Sequence, residues 1–335
     1  MLGGLLNYHA PDLEVLLVGR GDHLDAMQAE GHVRLDGPWG SRRVPVSVSS
    51  DLGDIVESDY LLLTVKSQST ENVLRAAGRH LPGKIVIAIQ NGINQRVLRR
   101  FVHPERLIMG MTATNMTIPE PGRVSLQRIG PTILGATIDG EADTQVSKAA
   151  QLLKTTGLPV STSPDVIAVQ YNKLAVNTLG CASALSASNF ITEGILNRTW
   201  RRVVGRPLLC ESLGVLRRVG IRVAHMPGSS DAHRLRRMMA ALQIPLVDAA
   251  IKIAGRRPLR RRQIVFSLQQ DLLRRKATEV DYINGEIVRL ARQHDCDAPR
   301  NAKVVEMVHE LERRADGTFF SPEEVISAFQ GLQSI

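Results

Sequence analysis

The feature that most constrains this chain is a change of hydrophobic texture near residue 163. Before it, short apolar runs of five or six residues recur at Glu14–Val18, Tyr60–Val65 and Lys84–Ile89. Apolar side chains at successive positions suit a strand buried on both faces, the condition inside a parallel sheet. Helix-like stretches lie between these runs: His23–Glu30, with Gly31 placed to terminate it, and Ser69–Gly78 ahead of Pro82 and Gly83. Strand and helix in alternation predict a doubly wound α/β domain over residues 1–163. Arg123–Ala136, punctuated by Gly122, Gly130 and Gly135, reads as a hairpin that closes it.

From Pro164, which suits the first position of a helix, helical periodicity dominates to the end. Ala168–Ala187, Thr199–Val219, Ser230–Ala254, Ser267–Lys276, Glu279–His294 and Asn301–Arg314 all read as helices. Residues 164–335 therefore form a second, mostly α-helical domain, with no internal repeat. A chain of 335 residues has the volume for a core in each half.

Composition narrows the functional classes. No apolar run reaches the roughly 18 residues of a membrane span, and Met1-Leu-Gly-Gly-Leu-Leu shows neither a basic n-region nor a small-residue cleavage site, so a signal peptide is not expected. Cys181, Cys210 and Cys296 are scattered and odd in number, which fits reduced thiols in a cytoplasmic protein better than disulfides or a zinc site. The formal charge of +9 allows anionic partners. The densest basic run, Arg256–Arg262 within Gly255–Gln263, holds five arginines. It reads as a solvated loop or a contact for phosphates or carboxylates. Without interleaved aromatics to stack bases, it does not point to nucleic acid.

The residues able to do chemistry fall in two groups. In dinucleotide-binding α/β sheets, the residue past the second strand meets the adenosine ribose: an acid there accepts from the 2′-OH of NAD, an arginine favours the 2′-phosphate of NADP. Here the Glu14–Val18 strand runs into Gly19 and Arg20, with no acid at its tip. The glycine-rich phosphate loop G-x-G-x-x-G occurs nowhere, and Gly3 and Gly4 sit where a first helix already runs. The expectation is that a first strand and its turn lie upstream of Met1. In the second domain, Lys173 and Asn177 are one turn apart on one helical face, about 40° from each other, and Cys181 continues the line. An ammonium beside an amide grips an α-keto acid; the plain alternative is a solvated pair. Further on, Ser267 with Gln270 has the spacing of a capping box, and Thr278 with Asp281 suits the start of the next helix. Glu279 in that first turn complements the helix dipole.

Taken together, Val65-Lys66, Gln90-Asn91-Gly92, Asn172-Lys173-Leu174-Ala175-Val176-Asn177, and Ser267, Asp271 and Thr278–Gly285, with Pro299 and Asn301, resemble the ketopantoate reductases over nearly the whole chain. The resemblance implies a Rossmann domain followed by a helical domain, with catalysis in the cleft between them. It implies reduction of 2-dehydropantoate to pantoate by NADPH, on the route to pantothenate and coenzyme A. Lys173 would be the proton donor, and Asn177 and Ser267 would bind substrate. Glu279 would orient the nicotinamide side, Arg20 and Lys66 would serve NADPH, and Asn91 would touch both ligands. Met116 falls where the family lends a backbone contact to the cofactor. Cys181 occupies a place where the family often has a substrate-binding Asn, and the chain between Lys173 and Glu279 is enlarged between Met226 and Gln263. The expected partner is a small keto acid, not nucleic acid or membrane, for a monomer or homodimer. The alternatives are a reductase of another branched keto acid, or a non-catalytic binding protein that keeps the fold without its phosphate loop.

Overall fold

The computed structural model describes residues 1–137, 141–225, 227–228, 230–254, 266–314 and 316–332. The Arg256–Arg262 run lies outside the described residues. The chain divides into two compact units. One comprises Met1–Gln90, Asn94–Ile167 and Pro227–Ser229; the other, Asn91–Ile93, Ala168–Met226 and Ser230–Ile335.

The first unit runs in order α1 (Leu2–His9), β1 (Leu16–Val18), α2 (Asp22–Glu30), β2 (His32–Gly37), β3 (Gly40–Pro45), β4 (Ser47–Ser49) and β5 (Tyr60–Leu63). There follow α3 (Thr70–Ala77), β6 (Ile85–Ala88), α4 (Gln95–Leu98), β7 (Leu107–Thr112), β8 (Asn115–Glu120), β9 (Arg123–Arg128), β10 (Thr132–Ala136), α5 (Glu141–Lys154) and β11 (Val160–Thr162). Gly31 takes the left-handed conformation (φ 68°) that ends α2, as its position suggested. β1 and β4 form a parallel ladder of their own, while β5, β6 and β7 lie parallel in a five-stranded sheet of order β11-β10-β7-β6-β5. The continuous apolar run of β6 has a direct cause. Val86 and Ala88 pack on one face with Leu63, Leu74 and Leu98, and Ile85, Ile87 and Ile89 pack on the other with Leu134, Ala149 and Leu153. Each face has its own core, so neither parity can be polar.

A third sheet, β3-β2-β9-β8, buries Val33, Leu35, Val44 and Val124 against Leu5 of α1 and Leu24 and Met27 of α2. This sheet corrects the expected Arg123–Ala136 hairpin. β9 pairs with β2 and β8, whereas β10 pairs with β7 and β11. Gly130 and Pro131 mark a passage between sheets, with the Ala113 amide donating to the Pro131 carbonyl at 2.8 Å.

The second unit is helical in its described residues: α6 (Val166–Ala184, its first two residues grouped with the first unit), α7 (Arg198–Trp200), α8 (Arg206–Arg218), α9 (Ala232–Ala241), α10 (Pro245–Ala254), α11 (Ser267–Leu273), α12 (Val280–Gln293), α13 (Pro299–Arg313) and α14 (Pro322–Gln330). The stretch expected as one helix over Ser230–Ala254 is two, because Pro245 opens α10 and cannot continue α9. Part of Thr199–Val219 is π-helical, over Arg201–Gly205. The capping box expected at Ser267 is absent: Phe266 is the N-cap, with no side-chain bond. Glu279, not Thr278, is the N-cap of α12, although the Thr278 hydroxyl does accept from the Val280 amide at 3.3 Å.

Candidate functional site

In the first unit, Arg20, Lys66 and Gln90 each lie just past the end of a parallel strand. Gly19 and Arg20 follow β1; the Gly19 amide donates to the Ser49 carbonyl at the end of β4 (3.0 Å), and Arg20 is exposed. Lys66 follows β5 and is half-buried, its carbonyl accepting from the Ser69 amide at 2.9 Å. Gln90 follows β6. Its Nε2 donates to the Val65 carbonyl (2.6 Å) and to the Thr70 hydroxyl (2.7 Å), so the end of β6 is laced to the turn that carries Lys66. Asn94 Nδ2 donates to the Ser67 hydroxyl at 3.0 Å and fastens the same turn again. Open α/β sheets bind nucleotides outside the carboxyl ends of their strands. Arg20 and Lys66 are two cations at such ends. Met116 lies elsewhere, on β8 of the third sheet, packed against that sheet's core.

In the second unit, α6 sets the geometry. From Ala168 to Ala184 every residue is buried except Lys173, Val176 and Asn177. The spacing that put Lys173 and Asn177 on one face therefore coincides with the one accessible stripe in this stretch. Lys173 Nζ donates to Asn91 Oδ1 at 2.6 Å, which holds the ammonium against the amide of the Gln90–Gly92 turn. Cys181, a further turn along, is only 2% exposed. Burial pushes its thiol well above the usual range, and the charge of Glu279 adds to the effect. Glu279 is itself buried at the N-cap of α12. Its carboxylate is thus near enough to act on the α6 line.

Ser267 is the exposed first residue of α11, and its place follows from a glycine. A Cβ on Gly180 of α6 would lie 2.3 Å from the Phe266 ring, so only glycine lets that ring lie on the helix. Phe266 also meets Phe190 edge-on at 5.3 Å. Among the described residues, no group of three or more His, Cys, Asp or Glu side chains could hold a metal ion, and no helix is long and apolar enough to cross a membrane. The sequence motifs included Gln90 but gave it no role. They missed His309 and Glu312 altogether; Glu312 accepts from the Thr278 amide at 2.8 Å, beside Glu279.

The helical unit thus offers an ammonium, amides and a carboxylate around one helix, and the α/β unit offers cations at its strand ends. These features suit the two-part oxidoreductases that use a nicotinamide cofactor on a carbonyl. Residues 1–138 match the family described as ketopantoate reductase PanE/ApbA, and residues 165–312 match its C-terminal part. The chain belongs to that family, with a Rossmann-like unit followed by a helical one, and is an oxidoreductase of the ketopantoate reductase type. It is 27% identical over 319 residues to the 2-dehydropantoate 2-reductase of Halobacterium salinarum, an overlap of 93% of this chain and 95% of that one. The crystal structure of a PanE/ApbA family ketopantoate reductase from Ralstonia eutropha superposes with a TM-score of 0.75 at 25% identity, covering 93% of this chain and 94% of that one. At 21% identity, D-mandelate dehydrogenase in complex with NADH and anilino(oxo)acetate superposes with a TM-score of 0.76 over the same shares.

Proposed function

We propose that this chain reduces 2-dehydropantoate to pantoate with NADPH in the cytoplasm, on the way to pantothenate and coenzyme A, with Lys173 as proton donor. The observation that carries the reading is the Lys173–Asn91 hydrogen bond of 2.6 Å on the accessible stripe of α6. A bound nicotinamide cofactor would supply hydride to the ketone carbon. Lys173 then serves the other end of the carbonyl, where its ammonium steadies the developing alkoxide and gives it a proton. Asn91 holds that ammonium in place, and Asn177, one turn along, presents its amide to the substrate carboxylate or hydroxyl. Ser267 binds substrate from the start of α11. Glu279 orients the nicotinamide side by hydrogen bonds. Arg20 and Lys66 take the phosphates, and the absence of an acid after β1 favours the 2′-phosphate of NADPH over the 2′-OH of NADH. Met116 contributes a backbone contact. Cys181 shapes the wall of the site through its buried thiol.

The test is NADPH oxidation with 2-dehydropantoate. Lys173→Ala is expected to lower kcat by about 10²–10⁴-fold while the NADPH dissociation constant stays within about twofold. Parallel loss of turnover and cofactor binding would assign Lys173 a structural role and overturn the reading. A second reading, reduction of a different 2-keto acid, draws support from the D-mandelate dehydrogenase likeness. A panel of aliphatic and aryl 2-keto acids separates the two: a kcat/KM at least tenfold higher for an aryl keto acid would favour the second.

A further inference from the structure

The turn that carries Glu279 is held from outside by a histidine that the reaction itself does not use. Glu312, near the end of α13, accepts the Thr278 amide on Oε1 (2.8 Å) and faces His309 Nδ1 with Oε2, also at 2.8 Å. The other ring nitrogen, Nε2, faces Asp281 Oδ1 at 3.0 Å, in the first turn of α12. Among the described residues, the charged groups turned toward the ring are therefore two carboxylates, one from its own helix and one from α12. A neutral imidazole has one N–H and one lone pair, so it can donate to only one of them and must oppose the other with its lone pair. The bridge is complete only as the imidazolium, which donates from both nitrogens.

We propose that His309 is a positioning residue: as an imidazolium it ties α13 to the first turn of α12 and stiffens the Thr278–Glu279 turn, so that Glu279 is held more firmly while His309 carries its proton. The proposal rests on the reading that Glu279 belongs to the site. Partial burial works against the charged ring, but the hydrogen bonds and charges of Glu312 and Asp281 outweigh it and raise the histidine above its ordinary 6.5. The same partners act in reverse on Glu312. Burial would raise it, yet the Thr278 amide and His309 hold its carboxyl below the usual range. The bridge is thus whole below the ordinary histidine value and is lost as pH rises through the raised one. The side chain of His309 is 35% exposed, so protons reach it freely.

Two measurements on the full chain test this. Histidine NMR titration, with the His309 resonance assigned by His309→Gln, is expected to give a midpoint above 6.5; a midpoint at or below that value overturns the bridge. In steady-state kinetics, His309→Gln is expected to lower kcat at pH 6 by about two- to tenfold, the worth of one hydrogen bond. It should also abolish the part of the wild-type decline that falls in the His309 titration window. A pH profile parallel to wild type in that window overturns the proposal. Glu279→Gln runs beside it as the control. If Glu279→Gln loses turnover but His309→Gln keeps the wild-type profile, the positioning role fails alone. If Glu279→Gln turns over normally, the placement of Glu279 in the site fails, and the positioning role with it. The titration then still decides whether the bridge exists.

Discussion

At the scale of single residues, the site depends on where α6 is bare of side chain as much as on what it carries. Alanine at position 180 would gain about 1 kcal/mol of helix propensity but drive its methyl into the Phe266 ring, 2.3 Å away. Overpacking of that kind costs about 1–3 kcal/mol. Gly180→Ala is therefore expected to lower stability by up to about 2 kcal/mol and to raise KM for the keto acid, because Phe266 sets the start of α11 and Ser267. Urea unfolding and steady-state kinetics check it; an unchanged midpoint and KM would mean that the ring yields freely. The Lys173–Asn177 spacing was readable from the sequence because a one-turn repeat is local. The bridge from His309 to Asp281 was not, since its partners are 28 residues apart and only the fold brings them together. Nor was the burial of Cys181, which depends on helices that come later in the chain.

At the scale of elements, the least obvious support lies at the start of α13. Its N-cap is Ala298, which has no side-chain acceptor, and Pro299 follows. Glu211 of α8 takes over from a distance: it accepts the amides of Arg300 (3.0 Å) and Asn301 (2.8 Å) and the Asn301 side chain (2.9 Å). Asn301 in turn accepts from Asn284 of α12 at 3.0 Å. Burial raises the Glu211 carboxyl even though these N–H donors pull it down. Glu211→Ala leaves several buried donors without an acceptor and is expected to cost about 2–4 kcal/mol, with Glu211→Gln in between. Thermal unfolding of the three proteins checks the order; equal melting temperatures would show that water replaces the carboxylate at no cost. No sequence pattern announced this cap, because the acceptor sits some 90 residues from its donors. The strands of the third sheet were hidden for another reason. Arg34, Asp36, Arg42 and Arg43 give β2 and β3 the polarity of loops, since only one face of that sheet is covered. The break at Pro245, by contrast, was there to be read.

At the scale of the whole molecule, a formal charge of +9 meets anionic ligands on both sides of the proposed reaction. Long-range attraction accelerates encounter and is screened by salt. Raising ionic strength from about 20 to 500 mM is expected to lower kcat/KM for NADPH several-fold while kcat changes little. A salt-insensitive kcat/KM would mean that the positive charge lies away from the ligand approach. The order of the two halves was legible because buried parallel strands and helices write different periodicities. The separation of β9 from β10 was not, because glycine and proline mark a change of sheet as readily as a hairpin. The almost complete enclosure of α6 bears on how such a protein acquires new substrates. Between Ala168 and Ala184 only Lys173, Val176 and Asn177 can change without disturbing a packed neighbour. Two of these carry the proposed chemistry. Selection for a different keto acid therefore has about one free position on its own catalytic helix. Divergence within this architecture is then expected in the segments that surround α6 rather than in the helix itself.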